Sequence, residues 1–147
     1  MSYQTVRLRD LVLEMVGCCE DRKLYETQKF GLPYSELKCL MLFEAVRYLT
    51  AKDIAHRLDV AKSRITKIIN SLMEKGLVKQ IDDPGDGRRK LINLTPAGQK
   101  KSEEIAVFER DIHRKILLEM GPEERKILLA YLELLRSTME GVKEDLV

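Results

Sequence analysis

The sequence predicts an α+β chain that is mainly helical, with one small β-hairpin set between long terminal helices. Most of the 147 residues fall in segments whose apolar residues are spaced three and four apart, the pattern of amphipathic helices. The segment 77–94 differs, because two short apolar runs flank the turn sequence DDPGDG. Charged residues make up 34% of the chain and aromatic residues only 5%, which favours helices with solvated outer faces.

The first half of the chain begins with two predicted helices. The first covers most of the opening 30 residues, and Gly17 weakens its pattern without ending it. Its apolar stripe consists of Leu8, Leu11, Val12, Met15, Cys19 and Tyr25. Pro33 disfavours helix at Leu32, so the chain breaks there. The second predicted helix, about residues 35–46, is apolar almost all round and should lie at the centre of the core.

A helix-turn-helix pattern follows. Thr50 and Asp53 have the spacing of a capping box at the start of a short helix. Residues 59–61 form a tight turn into a second helix, about 62–75, which Gly76 can end in the left-handed conformation. The apolar residues that should face inward from the first of these helices are Ile54, Ala55 and Leu58.

The hairpin and the C-terminal helices complete the chain. Paired strands are predicted at 77–81 and 90–94, around a flexible tip. Thr95 and Pro96 form a strong helix start, a capping hydroxyl followed by proline at the first helical position, for a helix to about residue 120. After a break at Gly121 and Pro122, the last helix carries an apolar seam of Leu128, Leu132, Leu135, Met139 and Val142.

The helix 62–75 has two chemically different faces. By its spacing, Ile65, Ile68, Ile69 and Leu72 should face inward. The opposite face presents basic, hydroxyl and amide side chains: Lys62, Ser63, Thr66, Lys67 and Asn70, with Arg64 on a flank. Such side chains bind phosphates and base edges of duplex DNA, whereas the alternative is an ordinary solvated face. The preceding short helix and turn and the following basic hairpin favour DNA recognition.

Two arginines mark the tip of the hairpin. Arg88 and Arg89 follow Asp86, and a carboxylate two residues before an arginine can orient its side chain by a charge-assisted hydrogen bond. An oriented arginine is suited to the narrow, electronegative minor groove. The alternative is a solvated turn whose charges only maintain solubility.

The charge distribution agrees with a DNA partner. Residues 50–100 contain eleven Lys and Arg against six Asp and Glu, a net +5, and the rest of the chain is −3. No apolar run approaches the roughly 20 residues of a membrane span, and the charged N-terminus does not resemble a signal peptide. We therefore expect a cytoplasmic protein with no membrane partner.

Catalysis and metal binding are not expected. No nucleophile-base set or phosphate loop is present, so the chain is not expected to be an enzyme or to need a cofactor. The three cysteines form no metal-ligand spacing, and His56 and His113 lie far apart in sequence. Cys39 and Cys19 are expected to pack in the core, whereas Cys18 lies nearer the polar side and is the candidate redox sensor.

The segment from Asp53 to Gly98 resembles the MarR family of multiple antibiotic resistance regulators. The resemblance is carried by LMEKGLV at 72–78, DPGDGR at 83–88 and LTPAG at 94–98. It implies a winged helix-turn-helix at 35–98, an N-terminal dimerisation helix at 1–34 and C-terminal dimerisation helices at 99–147. It also implies DNA contacts by Ser63, Arg64, Thr66 and Lys67, with Arg88 as the wing arginine and Asp86 as its partner. Two departures are Ala61, where relatives often have a capping residue, and Gln80, where an arginine is frequent.

The resulting hypothesis is a homodimeric transcription regulator, of the repressor type, that binds a pseudo-palindromic duplex site. Pairing of the terminal helices between two chains would cover their apolar stripes, although the last seam could also pack within its own chain. The resemblance implies release from DNA by a small-molecule effector or by thiol oxidation. The main alternative is a winged helix that contacts proteins in a larger assembly.

Overall fold

The computed structural model describes residues 2–147 and confirms the predicted mainly helical fold with one hairpin. The helices and strands, in chain order, are α1 (Tyr3–Phe30), α2 (Tyr34–Met41), a 3₁₀ turn (Leu42–Glu44), α3 (Ala51–Leu58), α4 (Lys62–Glu74), β1 (Val78–Asp83), β2 (Asp86–Leu94), α5 (Pro96–Leu118) and α6 (Pro122–Asp145). None of the described helices is long and apolar enough to span a membrane.

Helix α1 has a capped start and ends at the break predicted from the sequence. The Ser2 hydroxyl accepts a hydrogen bond from the Thr5 main-chain N–H at 3.2 Å, and the helix continues through Gly17. It ends before Gly31, whose φ of 66° is the left-handed conformation that glycine adopts without steric cost. Only Glu26 and Phe30 of this helix are buried in the single chain. Its long apolar stripe is therefore largely uncovered.

The core of the first 106 residues, which form one compact unit, lies between α2, α3, α4 and the hairpin. Its fully buried side chains include Leu37, Leu40, Ile54, Ile65, Leu72, Ile92 and Ile105. The prediction that the second helix is central is confirmed, but its predicted end at residue 46 is wrong. The α-helix stops at Met41 and tightens into the 3₁₀ turn, after which the chain extends so that Leu49 can pair with β2.

Cys39 lies in this core with 1% of its surface exposed. Burial, and secondarily the charge of Glu36, raises the pKa of the Cys39 thiol to about 12. We expect Cys39 to resist alkylation at pH 8 until the chain unfolds, since little thiolate forms. Because its pKa rises from 9.0 to about 12 on folding, the thiol's contribution to stability is fully present below pH 9 and is lost as pH rises towards 12.

Mass spectrometry of iodoacetamide-treated protein, native and denatured, measures this protection. Cys18 and Cys19 are the internal comparison, because both are exposed in the single chain. Labelling of native Cys39 at the rate of Cys18 would contradict the burial argument. The expectation that Cys19 packs in the core is wrong for the single chain, because the helix face that carries it has no packed neighbour there.

The hairpin is longer than predicted. Antiparallel pairing runs from Val78 opposite Leu94 to Asp83 opposite Asp86, with one irregularity at Asp82 and Asp83. The Asp83 carboxylate accepts the Gly85 N–H at 2.9 Å, which closes a tight turn and allows the strands to pair almost to the tip. Leu49 adds an isolated bridge to Ile92, with N–O distances of 3.0 and 2.8 Å. This bridge ties the start of α3 to the hairpin.

The chain divides into two compact units, Met1–Ala106 and Val107–Val147. The second unit comprises the last part of α5 and the whole of α6. In the turn between them, Arg125 Nε donates hydrogen bonds to the carbonyl oxygens of Leu117 at 2.7 Å and Met120 at 3.0 Å. These bonds satisfy carbonyls that the end of a helix leaves without partners. No residue of α6 is buried in the single chain.

Candidate nucleic-acid interface

Helix α3 is fixed by the predicted capping box. The Asp53 N–H donates to the Thr50 hydroxyl at 3.1 Å, and the Thr50 N–H donates to the Asp53 carboxylate at 3.0 Å. The Thr50 main-chain and hydroxyl hydrogen bonds lower the pKa of Asp53 below its ordinary 3.8. The cap therefore contributes its stability above pH 3.8 and loses it as pH falls through the lowered value.

The turn after α3 sets the direction of the next helix. Asp59 adopts φ 54°, and the Val60 N–H donates to the Ala55 carbonyl oxygen at 3.1 Å. Aspartate is one of the few residues other than glycine that tolerates this conformation. Helix α4 then starts at Lys62 without a side-chain cap, because Ala61 has no hydrogen-bonding group, as its sequence position indicated.

Helix α4 presents the predicted face to solvent. Ile65, Ile68, Ile69 and Leu72 are all buried, which confirms the assignment of its inner side. The Thr66 hydroxyl donates to the Lys62 carbonyl oxygen at 3.2 Å. Elsewhere on this face, within residues 2–147, the side chains form no hydrogen bond or ion pair with the protein. The exposed reading face consists of Lys62, Ser63, Arg64, Thr66, Lys67 and Asn70.

The hairpin of β1 and β2, here called the wing, carries three consecutive cations on β2 that differ in their ion pairs. Arg89 Nε lies 3.8 Å from a carboxylate oxygen of Asp83, and Lys90 pairs with Asp82. The guanidinium of Arg88 has no carboxylate partner among the described residues. Of these three cations, Arg88 is therefore the one that needs to break no ion pair before it can bind an external anion.

The prediction that the Asp86 carboxylate orients the Arg88 side chain is wrong. The Asp86 carboxylate accepts the Arg88 main-chain N–H at 3.0 Å, and the guanidinium is not held. The two-residue spacing suits this local side-chain to backbone bond, which forms at no cost in side-chain freedom for the arginine. Asp86 thus shapes the backbone of the wing, and Arg88 and Arg89 lie within β2 at its register irregularity, between the paired residues Asp86 and Lys90.

A groove with a volume of about 870 Å³ lies between α4 and the wing, the two candidate DNA-reading elements. It is here called the basic groove. Five lysine and arginine side chains and one histidine line it: Lys52, His56, Lys62, Arg88, Arg89 and Lys90. The other lining residues are Thr50, Ala51, Asp53 and Gln80. Sequence reasoning missed Lys52, His56 and Lys90 as candidates. The four-residue spacing of Lys52 and His56 places them on one side of α3, but the Leu49–Ile92 bridge that brings α3 beside the wing is not readable from local sequence.

The remaining candidates lie apart from this groove. Cys18 is exposed on α1. The part of the chain that the structure describes contains no cluster of three or more His, Cys, Asp or Glu side chains able to hold a metal ion. The reading face, the basic groove and Arg88 therefore form the site whose chemistry points to a ligand, and that chemistry is cationic and rich in hydrogen-bond donors.

Comparison with known proteins agrees with this geometry. Residues 30–89 match the family model described as the MarR family. The chain is 29% identical over 126 residues to an uncharacterized helix-turn-helix-type transcriptional regulator, YwoH, of Bacillus subtilis, covering 86% of this chain and 91% of the relative.

Two solved structures have the same fold. Streptococcus pneumoniae FabT, in complex with DNA, superposes with a TM-score of 0.82 at 19% identity, over 96% of this chain and 99% of that one. S. aureus MepR, also in a DNA complex, gives 0.69 at 22% identity, over 88% and 98%. At these identities the likeness establishes the fold, and the family is indicated by the matched sequence model and the named regulators.

Proposed function

We propose a function for this chain from the premise that it belongs to the MarR family of transcription regulators. It binds double-stranded DNA as a homodimer at a pseudo-palindromic site, and it acts in the cytoplasm as a repressor and not as an enzyme. The observation that carries the proposal is the exposed reading face of α4 beside the unpaired Arg88 of the wing. The DNA complexes of FabT and MepR, which share the fold, support it.

The reading face suits the major groove. A helix fits into that groove, where lysine and arginine bind guanine or phosphate oxygens and serine, threonine and asparagine bind base edges or phosphates. Because the four isoleucine and leucine side chains of the inner face are buried, α4 can offer its outer face without losing its packing. Lys62, Ser63, Arg64, Thr66, Lys67 and Asn70 are the proposed contacts.

The basic groove suits the phosphodiester backbone between the two reading elements. Lys52, His56 and Lys90 line it together with Lys62 of the reading helix and with Arg88 and Arg89 of the wing. Phosphate contacts fix the register of a protein on a duplex, and base contacts supply the specificity. In this arrangement Arg88 enters the minor groove, and Arg89 and Lys90 contact phosphates after leaving Asp83 and Asp82.

Dimerisation is supported by apolar surface that the single chain leaves open. On α1, Leu8, Leu11 and Met15 are 39–49% exposed. On α6, Leu132, Met139 and Val142 are 41–54% exposed. Monomeric proteins rarely leave large contiguous apolar patches in water. A second copy would cover both stripes, with residues 1–34 and 99–147 as the dimerisation segments and 35–98 as the DNA-binding segment.

Two-fold symmetry then sets the form of the DNA site. A symmetric dimer presents two copies of α4, and helix-turn-helix dimers read half-sites about one helical turn apart. Release follows a small-molecule effector or thiol oxidation, and for oxidation the exposed Cys18 is the candidate.

Selection from a randomised duplex library tests this function. The chain should enrich a pseudo-palindromic sequence, and its affinity for the selected duplex should fall about 1,000-fold or more between about 50 and 200 mM salt, because several phosphates are neutralised. Fluorescence anisotropy across a salt series measures the slope, and light scattering measures the dimer. Absence of any enriched duplex, with a flat salt response, would instead favour a protein-contact role for the wing and α4.

A further inference from the structure

A buried carboxylate joins α2 to the far end of the reading helix. Glu36 is 5% exposed and lies in the first turn of α2. Its carboxylate accepts hydrogen bonds from Lys75 Nζ at 2.6 Å and from the Ser71 hydroxyl at 3.2 Å. Ser71 is in the last turns of α4, and Lys75 is the residue that caps its C-terminus.

This arrangement fixes the orientation of α4 on α2 more than it stabilises the fold. Burying a charge costs free energy, which a paired partner offsets only in part, so such a pair is weak support for a fold. The apolar contacts beneath α4 are non-directional and tolerate small rotations of the helix. Hydrogen bonds weaken steeply away from their preferred geometry. Two bonds from separate turns of α4 to one carboxylate therefore restrict how α4 can rotate and tilt on α2.

The reading face lies towards the N-terminal end of the same helix. Arg64 precedes Ser71 by seven residues and Lys75 by eleven, which is about 10–17 Å along a helix that rises about 1.5 Å per residue. A tilt of about 5° at the clamped end would displace Arg64 by about 1 Å over that length. Such a displacement is enough to spoil a bidentate base contact, whose geometry is narrow. Contacts to phosphates depend less on direction.

We propose that Glu36 is a positioning residue for sequence readout: through Ser71 and Lys75 it sets the orientation of α4 and so the ability to distinguish one duplex from another. This inference rests on the proposed DNA-binding function and deepens it. Glu36 itself is buried and contacts no DNA. Its loss reduces specificity more than it reduces binding to DNA as such.

Glu36→Gln tests the inference, because it keeps the shape of the side chain and removes the charge that Lys75 and Ser71 bind. The probes are the duplex selected by the wild-type chain and a scrambled duplex of the same composition. We expect affinity for the selected duplex to fall about 5- to 20-fold, whereas affinity for the scrambled duplex changes less than twofold. Both are measured by anisotropy at one salt concentration, below the unfolding temperature of the variant.

Ser71→Ala provides a milder variant that removes one of the two hydrogen bonds, and it should show a smaller loss of the same kind. Glu74→Gln is the matched control, since Glu74 is exposed at the same end of α4 and the charge change is equal. Lys75→Met together with Glu36→Gln should unfold at a higher temperature than Lys75→Met alone, which leaves the carboxylate buried without its cation.

The outcomes separate this inference from the proposed function. If the wild-type chain selects no duplex, DNA recognition fails, and the positioning role fails with it. If the wild type selects a duplex but Glu36→Gln keeps the wild-type ratio of selected to scrambled affinity, only the positioning role is overturned. A lower unfolding temperature with an unchanged ratio likewise overturns it, because a merely stabilising pair would behave in that way.

Discussion

Gly98→Ala is expected to destabilise the folded chain by about 3 kcal/mol or more. Gly98 is buried in the first turn of α5, where its N–H donates to the Thr95 hydroxyl at 3.0 Å. A Cβ at this position would lie 1.8 Å from the carbonyl oxygen of Leu77 and 2.8 Å from its carbonyl carbon. Both are backbone atoms, so no side-chain rotation relieves the overlap.

The clash lies at the junction between α5 and the wing. The same Leu77 carbonyl oxygen accepts the Thr95 N–H at 3.1 Å, and the Thr95 hydroxyl donates to the Gly76 carbonyl oxygen at 2.5 Å. These bonds fasten the start of α5 to the start of the wing. Relief of the overlap must move one of the two, so we also expect weaker duplex binding from whatever fraction of Gly98→Ala remains folded.

Chemical denaturation at fixed protein concentration measures the effect, since the stability of the proposed dimer would depend on concentration. Helix propensity alone predicts the opposite sign, because alanine stabilises a helix by about 1 kcal/mol relative to glycine. Gly141→Ala in α6 is the matched control, because its added Cβ meets no atom of the chain within 4 Å. Equal unfolding midpoints for Gly98→Ala and the wild type would mean that the Leu77 backbone leaves room for a methyl group at position 98.

Local chemistry explains which parts of this fold the sequence could predict. The capping box of Thr50 and Asp53 needs only residues three apart, and it forms as expected. The two faces of α4 follow from the helical period alone, and the buried side is the predicted one. The end of α1 follows from Gly31, which accepts the left-handed conformation there.

Contacts between distant segments were not predictable in the same way. The bridge between Leu49 and Ile92 decides that α3 lines the basic groove, yet nothing in either local sequence identifies the other. The charge of Glu36 in an otherwise apolar segment gave no indication that its partners lie 35 and 39 residues further on. The role of Asp86 was misjudged within the wing because a short carboxylate can accept a main-chain N–H as readily as a guanidinium.

Removal of the two proposed base-reading arginines is expected to give the largest loss of DNA binding. Arg88→Ala should weaken binding to the selected duplex by about 1–3 kcal/mol while leaving the proposed dimer intact, and Arg64→Ala should cost a similar amount. Arg64 lies on α4 and Arg88 on β2, so the two losses should roughly add. The double variant should then bind about 30- to 2.5 × 10⁴-fold more weakly, as measured by anisotropy at one salt concentration.

The ion pairs of the wing supply the internal comparison. Arg89→Ala should cost less than Arg88→Ala, because Arg89 gives up its proximity to Asp83 before it can bind a phosphate. Lys126→Ala is the control for a general loss of charge, since Lys126 is 76% exposed on α6, outside the proposed DNA-binding segment. An Arg88→Ala chain with wild-type affinity would remove Arg88 from the interface. A double variant that loses much less than the sum of its parts would instead show that the wing and α4 bind DNA as one coupled unit, with the basic groove as the connection between them.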